Sequence, residues 1–281
     1  MTNLNDPRAK SVPAAWLGPI GLWASWLRAA DRSPATIATR TDHIRRLARA
    51  VGGDPWQLTA ARLVEWVGGQ AWSRETRRST HASIRTFFDW GVAKGHISVS
   101  PAGDLPRVRA SEPMPRPTPD RVQAAAMAHA DERTRLILRC AGEAGLRRAE
   151  VAVIHRDDLV EDLGGWSLLV HGKGGRQRLV PLGESLALAV RAACLAGGGF
   201  AFPGAQGGHL SPRWVGKLAT DALPGAWTLH SLRHRFATRA HAGTHDLIAV
   251  QHLLGHQSVA TTQRYVATGT DALRRAAQAA A

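Results

Sequence analysis

Along the first hundred residues the apolar positions recur at helical spacing. Trp16, Leu17, Ile20, Leu22, Trp23, Trp26 and Leu27 fall three and four apart and predict a first helix. Ser33-Pro34-Ala35-Thr36 sets a hydroxyl cap before a proline at the first helical position, and opens a second helix through Ile37, Ile44, Leu47 and Val51 that Gly52-Gly53 ends. Thr59 to Val67 reads as a third. Ser73 to Val92 reads as a fourth, with Ile84, Phe87, Phe88 and Trp90 on its apolar side and Arg74, Arg77, Arg78 and Arg85 spread over the other. The pattern predicts a small helical unit with a basic face.

Periodicity then breaks. Asp104 to Asp120 holds Pro106, Pro113, Pro115, Pro117 and Pro119, which deny it regular hydrogen bonding and mark a boundary between two domains. The three arginines of this stretch, Arg107, Arg109 and Arg116, suit a strap along a phosphate backbone, and a plain linker equally. Beyond it, helices are expected at Asp120 to His129 and Glu132 to Ala144. The short apolar runs Trp166 to Val170 and Arg178 to Leu182, separated by His171-Gly172-Lys173-Gly174-Gly175-Arg176, predict a β-hairpin. Helical patterns return at 186–196, 211–222, 230–242, 247–254, 258–265 and from Asp271 to the end. The expected fold is therefore mainly α with a small β-hairpin or sheet. Its parts are a tail (1–11), a helical domain (12–103), a proline-rich linker (104–119), a second domain (120–268) and a helical tail (269–281).

Composition narrows the function. With 281 residues, 44% of them apolar, the chain can bury real cores. It has no run long enough for a membrane helix and no signal-peptide pattern at its start, so a cytoplasmic protein without a membrane partner is expected. Cys140 and Cys194 stand alone, which supports neither a disulfide framework nor a cysteine zinc site and leaves them as small core residues. The net charge of +14 arises from 36 basic against 22 acidic residues, and all but Lys10, Lys94, Lys173 and Lys217 of the basic ones are arginine. Such an excess favours a polyanionic partner, nucleic acid first, because cations that neutralise phosphates release condensed counterions.

Four separated clusters carry candidate chemistry: Gly145-Leu146-Arg147-Arg148-Ala149-Glu150, Gly172-Lys173-Gly174, His230-Ser231-Leu232-Arg233-His234, and Leu254-Gly255-His256 with Tyr265, the only tyrosine in a chain of ten tryptophans. Each has a bland reading. Arg147 can cap a helix or pair with Glu150, Lys173 can be an exposed turn residue, and a lone tyrosine is usually a packing anchor. The pairs His230/His234 and His252/His256 have the spacing of metal ligands, yet no helical HExxH and no nearby cysteine accompany them, so no metal is expected. Together the clusters fit attack on a phosphodiester. Arg147 and Arg233 match the non-bridging oxygens, Lys173 protonates a departing hydroxyl, and His230 and His256 hydrogen-bond or move protons. Tyr265 is the nucleophile in this reading, its phenolate stabilised by the cations around it.

Gly145-Leu146-Arg147 with Glu150, HGKGGRQRLVPLG (171–183), LHSLRHRFATRAHAG (229–243) and LLGHQSVATTQRYV (253–266) resemble, in that order, the catalytic domain of the tyrosine recombinases, the phage integrase and Xer-like family. The resemblance runs from about Gly103 to Thr268. Ser-Pro-Ala-Thr at 33–36, Phe-Phe-Asp-Trp at 87–90, Gly-His-Ile at 95–97 and Ser-Pro-Ala at 100–102 resemble that family's helical, SAM-like core-binding domain. The family's catalytic positions fall on Arg147, Lys173, His230, Arg233, His256 and Tyr265, with Glu150 supporting the first arginine; position after Gly-Leu selects Arg147 over Arg148.

The resemblance implies a clamp on double-stranded DNA at a core site, a 3′-phosphotyrosyl link at Tyr265 with a freed 5′-hydroxyl, and rejoining without metal, ATP or other cofactor. It also implies a homotetramer in the synaptic complex, with the tail (270–281) docked on a neighbouring protomer, and a possible directionality factor. No arm-binding domain is expected. Arg74, Arg77, Arg78, Arg85, Arg107 and Arg109 are the candidate DNA contacts. A phage integrase is favoured over a Xer-like resolution enzyme on compactness and arginine content. A type IB topoisomerase and a DNA-binding protein with an idle catalytic set stay open, separated by synapsis and by covalent trapping respectively. The alanine-rich terminus also fits a degradation signal.

Overall fold

The computed structural model describes residues 11–110, 115–172 and 174–256. The chain divides into two compact units, Met1–Glu112 and Pro113–Ala281.

In the first unit the helices are α1 (Ala14–Ala29), α2 (Pro34–Val51), α3 (Ala60–Gly68) and α4 (Arg74–Ala93). Hydroxyl caps set the starts of the last three: Ser33, Thr59 and Ser73 accept from the amides of Thr36, Arg62 and Thr76. Gly52, at φ +67°, ends α2. The apolar stripes meet in a core of Trp16, Trp23, Leu27, Ile44, Leu47, Leu63, Ile84, Phe87 and Phe88. The Trp56 ring stacks on Phe87, with centroids 5.5 Å apart. Ala102 and Leu105 join this core, and Arg85 donates to the Leu105 carbonyl. The first residues of the proline-rich stretch are thus held on α4.

The second unit contains α5 (Asp120–His129), α6 (Glu132–Glu143), α7 (Arg148–Ala152), β1 (Leu159–Asp162), β2 (Gly165–His171), β3 (Gln177–Leu182), α8 (Glu184–Ala196), α9 (Pro212–Ala222), α10 (Leu229–Thr244) and α11 (Leu247–Leu254). The expected hairpin is β2–β3, and it is one strand short of the sheet: β1 pairs antiparallel with β2 to give the order β1-β2-β3. Leu-Val-Glu-Asp is too short and too acidic at its end to display strand alternation, and it pairs because a tight turn returns it to β2. Helix α7, only five residues long, is the arginine-bearing helix that the glycine turn at Gly145 leads into, with Arg147 at its cap.

Helix α6 lies centrally, packed against α8, α9 and α10. Ile137, Leu138, Ala141, Val151, Leu168, Val170, Val180, Val190, Phe202, Val215 and Leu232 make the core around it. Cys140 and Cys194 are buried free thiols, and burial pushes Cys140 up to about 12. Mainly α with a small sheet is therefore the fold class. No described helix is long and apolar enough to cross a membrane. The helices expected at 258–265 and 271–281 lie outside the described residues.

Candidate active site

Gly145 makes the turn out of α6. Its φ is +65°, and a Cβ there would come within 2.5 Å of the Phe236 ring, so no side chain fits. Leu146 is buried, and Arg147 follows as the residue that caps α7. The Arg147 amide donates to Glu150 Oε2 at 2.8 Å and its Nη1 to Oε1 at 2.7 Å, while the side chain stays 39% exposed. Arg148 is also exposed and sits at the first position of α7. The pairing with Glu150 distinguishes the two arginines.

The Glu150 carboxylate is 4% exposed and collects further cations. Arg178, on β3, forks onto it through Nη1 to Oε1 at 3.0 Å and Nη2 to Oε2 at 2.9 Å. Arg233 Nη1 lies 3.9 Å from Oε2. Burial alone would raise this carboxyl, but the hydrogen bonds from Arg178 and the Arg147 amide outweigh it and hold the pKa at about 2. Glu150 is ionised at neutral pH.

Arg233 projects from α10 and is 1% exposed. It donates to the Gly145 carbonyl, and through Nη2 to the Leu254 carbonyl at 2.6 Å and to His256 Nε2 at 3.2 Å. A guanidinium only donates, so Nε2 accepts and the His256 proton sits on Nδ1. Burial, followed by the charges of Arg233, Arg147 and Arg178, drives His256 down to about 3. It is a neutral hydrogen-bonding group here.

His256 follows Gly255, the left-handed cap of α11 at φ +61°. His230 keeps an open edge to solvent, but the protein around the rest of the ring, then Arg233 and Arg147, lowers its pKa too. Its ring meets His234 edge-on, with centroids 4.7 Å apart. A cleft of about 770 Å³ opens beside these groups, lined among others by Arg147, Arg148, Lys217, Thr228, His230 and Arg233.

The structure thus brings Arg147, Glu150, His230, Arg233 and His256 together from α7, α10 and the end of α11. Lys173 and Tyr265 lie outside the described residues. The hairpin leading to Lys173 is closed by a Gly172 amide to Arg176 carbonyl bond of 2.7 Å, with Gly174 and Gly175 at positive φ. No group of three or more His, Cys, Asp or Glu converges as metal ligands would among the described residues.

On the helical unit, Arg74, Arg78, Arg107 and Arg109 are exposed, and Arg78 forks onto Glu75. Arg77 spends its donors on the Val67 and Gln70 carbonyls, at 2.7 and 2.6 Å, and Arg85 spends its own on Leu105 and Pro106. Sequence reasoning passed over Arg178. The signal was present: Arg178, Val180 and Leu182 alternate onto one face of β3, and an arginine in register with two buried apolar residues marks an ion pair on the core side.

Residues 118–271 match the model of the phage integrase family. The chain belongs to that family. It is a tyrosine recombinase, of a class that cleaves and rejoins DNA at specific sites. It is 38% identical over 226 residues to the tyrosine recombinase XerC of Rhodospirillum centenum, covering 73% of this chain and 64%, just under two thirds, of that one. It is 32% identical over 265 residues to XerC of Xylella fastidiosa, covering 79% and 88%. A lambda integrase (75–356) dimer bound to a COC′ core site shares the fold of this recombinase at a TM-score of 0.72 and 18% identity, with 90% and 95% covered. The XerH recombinase bound to a difH substrate does so at 0.62 and 18%, with 86% and 78% covered.

Proposed function

We propose that this recombinase cuts double-stranded DNA at a core site with Tyr265 and exchanges strands between two such sites within a homotetramer. The observation that carries the reading is the cation-rich centre itself: the part-exposed Arg147 paired with Glu150, Arg233 and His230 border one cleft, and the neutral His256 is hydrogen-bonded to Arg233 behind them. Attack by the Tyr265 oxygen, whose phenol proton passes to a neutral histidine or to water, forms a tyrosyl–phosphorus bond at the 3′ side and breaks the bond to the 5′ oxygen. Lys173 returns a proton to that oxygen. Arg147 and Arg233 offset charge on the non-bridging oxygens, and His230 and His256 hydrogen-bond to the same phosphate, whose negative charge raises their pKa values. The phosphotyrosine keeps the energy of the broken ester, so the freed 5′-hydroxyl of the partner duplex restores a phosphodiester with no metal or ATP.

The relatives named XerC favour a Xer-type role, resolving joined chromosomes or plasmids, over the phage integrase that compactness suggested. Phage integration is the second reading, and a directionality factor and tail-mediated protomer contacts belong to either.

The first test is covalent trapping. Duplexes selected for binding from a random pool are nicked near the cleavage position, labelled, and incubated with wild type and Tyr265→Phe. A band that survives denaturing electrophoresis with wild type alone is expected. Its absence on DNA that is demonstrably bound would leave a DNA-binding protein with an idle site. Recombination between two sites on one plasmid, compared with integration of one plasmid into another, then separates the two roles.

A further inference from the structure

We propose that Arg178 is a positioning residue of the cleavage centre, acting through Glu150 on Arg147 and through Leu253 on the His256 segment. The proposal rests on the reading of the site as a phosphodiester-cleaving centre.

Arg178 is 12% exposed on its side chain and reaches two partners with one rigid fork. Its two terminal nitrogens take both Glu150 oxygens, at 3.0 and 2.9 Å, and its Nε donates to the Leu253 carbonyl at 2.8 Å. The same Glu150 oxygens receive Arg147 Nη1 and the Arg147 amide. The carboxylate against which Arg147 is aimed is therefore itself pinned by Arg178. A carboxylate held on one side only swings about its own torsions, and the guanidinium it orients swings with it.

The Leu253 contact ties this fork to the last turn of α11, immediately before Gly255 and His256. Gly255, at φ +61°, also packs closely on Arg178: a Cβ there would stand 3.0 Å from Arg178 Cδ and 3.1 Å from Nη1. Arg178 also belongs to β3, the second strand of the β2–β3 hairpin. One largely buried guanidinium thus joins that hairpin, the Arg147–Glu150 pair and the His256 turn. Lysine cannot substitute for it, because a single ammonium does not bridge both carboxylate oxygens and the carbonyl in that fork geometry.

The test is Arg178→Lys, measured for the single-turnover rate of covalent complex formation on two nicked duplexes. One carries the ordinary phosphodiester at the scissile position and the other a methylphosphonate, which has no negative charge there. Displacing a cation that meets the phosphate charge matters only where the charge exists. The expected result is a slowing of about 10- to 100-fold on the phosphodiester, the usual cost of losing an orienting partner. DNA affinity should stay within about two-fold, and the deficit on the methylphosphonate should shrink to about three-fold or less.

Equal loss on both substrates, or wild-type rates on both, overturns the proposal. If Arg178→Lys does not fold, Arg178→Met combined with Glu150→Gln removes both charges and avoids a stranded carboxylate. The same two substrates then decide, and failure of both variants to fold overturns the proposal by making Arg178 a residue of the fold alone. Failure of wild type to form any covalent complex is a different result, and sinks the reading of the site together with this inference.

Discussion

Phe87 lies among Trp16, Trp23 and Trp56 in the first unit, while at the corresponding depth of the second Glu150 lies among Arg147, Arg178 and Arg233. Both arrangements are dense and both are buried, yet they specify in different ways. Ring packing is non-directional: its contribution follows the area removed from water, and a neighbour of similar size substitutes at modest cost. The carboxylate cluster is directional, and every member removed leaves a partner charged and dry. The helical unit can therefore vary in composition around a shape, whereas the catalytic unit holds a geometry that has few equivalents.

The largest effect should come from the charged centre. Arg233→Gln strips donors from the Gly145 and Leu254 carbonyls and from His256. It is expected to destabilise the second unit by about 3 to 5 kcal/mol and to slow covalent complex formation by about 10²- to 10³-fold. Thermal unfolding and the trapping assay read the two losses, and a stable, active variant would contradict the account of the site. Phe87→Ala should cost the first unit about 3 to 5 kcal/mol yet leave the rate of the covalent step on saturating DNA unchanged. A calorimetric trace in which only one of two transitions moves would support the contrast, and a matching fall in the covalent rate would undo it.

Acid should separate the regions further. His256 titrates at about 3 in the folded chain against an ordinary 6.5, so the unfolded chain takes up a proton that the folded chain refuses. Its contribution to stability is complete above about 6.5 and is lost as pH falls toward 3, which amounts to about 2 kcal/mol by pH 5. Glu150 adds loss in the same direction below about 4.5. Melting between pH 7 and 5 should thus fall more for wild type than for His256→Gln, and parallel curves would count against the depressed histidine. The smallest effect expected is that of Gly255→Ala, about 1 to 2 kcal/mol for a non-glycine residue held in the left-handed region, with Arg178 displaced. The same substitution at Gly68, where a Cβ meets nothing, should be neutral or stabilising in equilibrium unfolding.

Much of this was legible in advance. The caps Ser33, Thr59 and Ser73, the stop at Gly52 and the glycine turns at Gly145 and Gly255 are local chemistry, decided within a few residues, and they can be read from order alone. Strand β1 was not, since four residues hold too little periodicity to stand out. Arg147 with Glu150 was expected from a three-residue spacing. Arg178 with Glu150, 28 residues apart, was not, because no local rule links a strand to a helix cap at that distance.

By itself, then, the sequence determined which faces are apolar, where helices begin and end, and which residue types are available for phosphodiester chemistry in what order. Tertiary structure alone decided that β3, α7, α10 and the end of α11 converge, and that Arg178 is shared between two partners. Periods of 3.6 and 2 residues report which side of an element is buried. They do not report which buried sides meet, and the geometry of a charged centre is made where they meet.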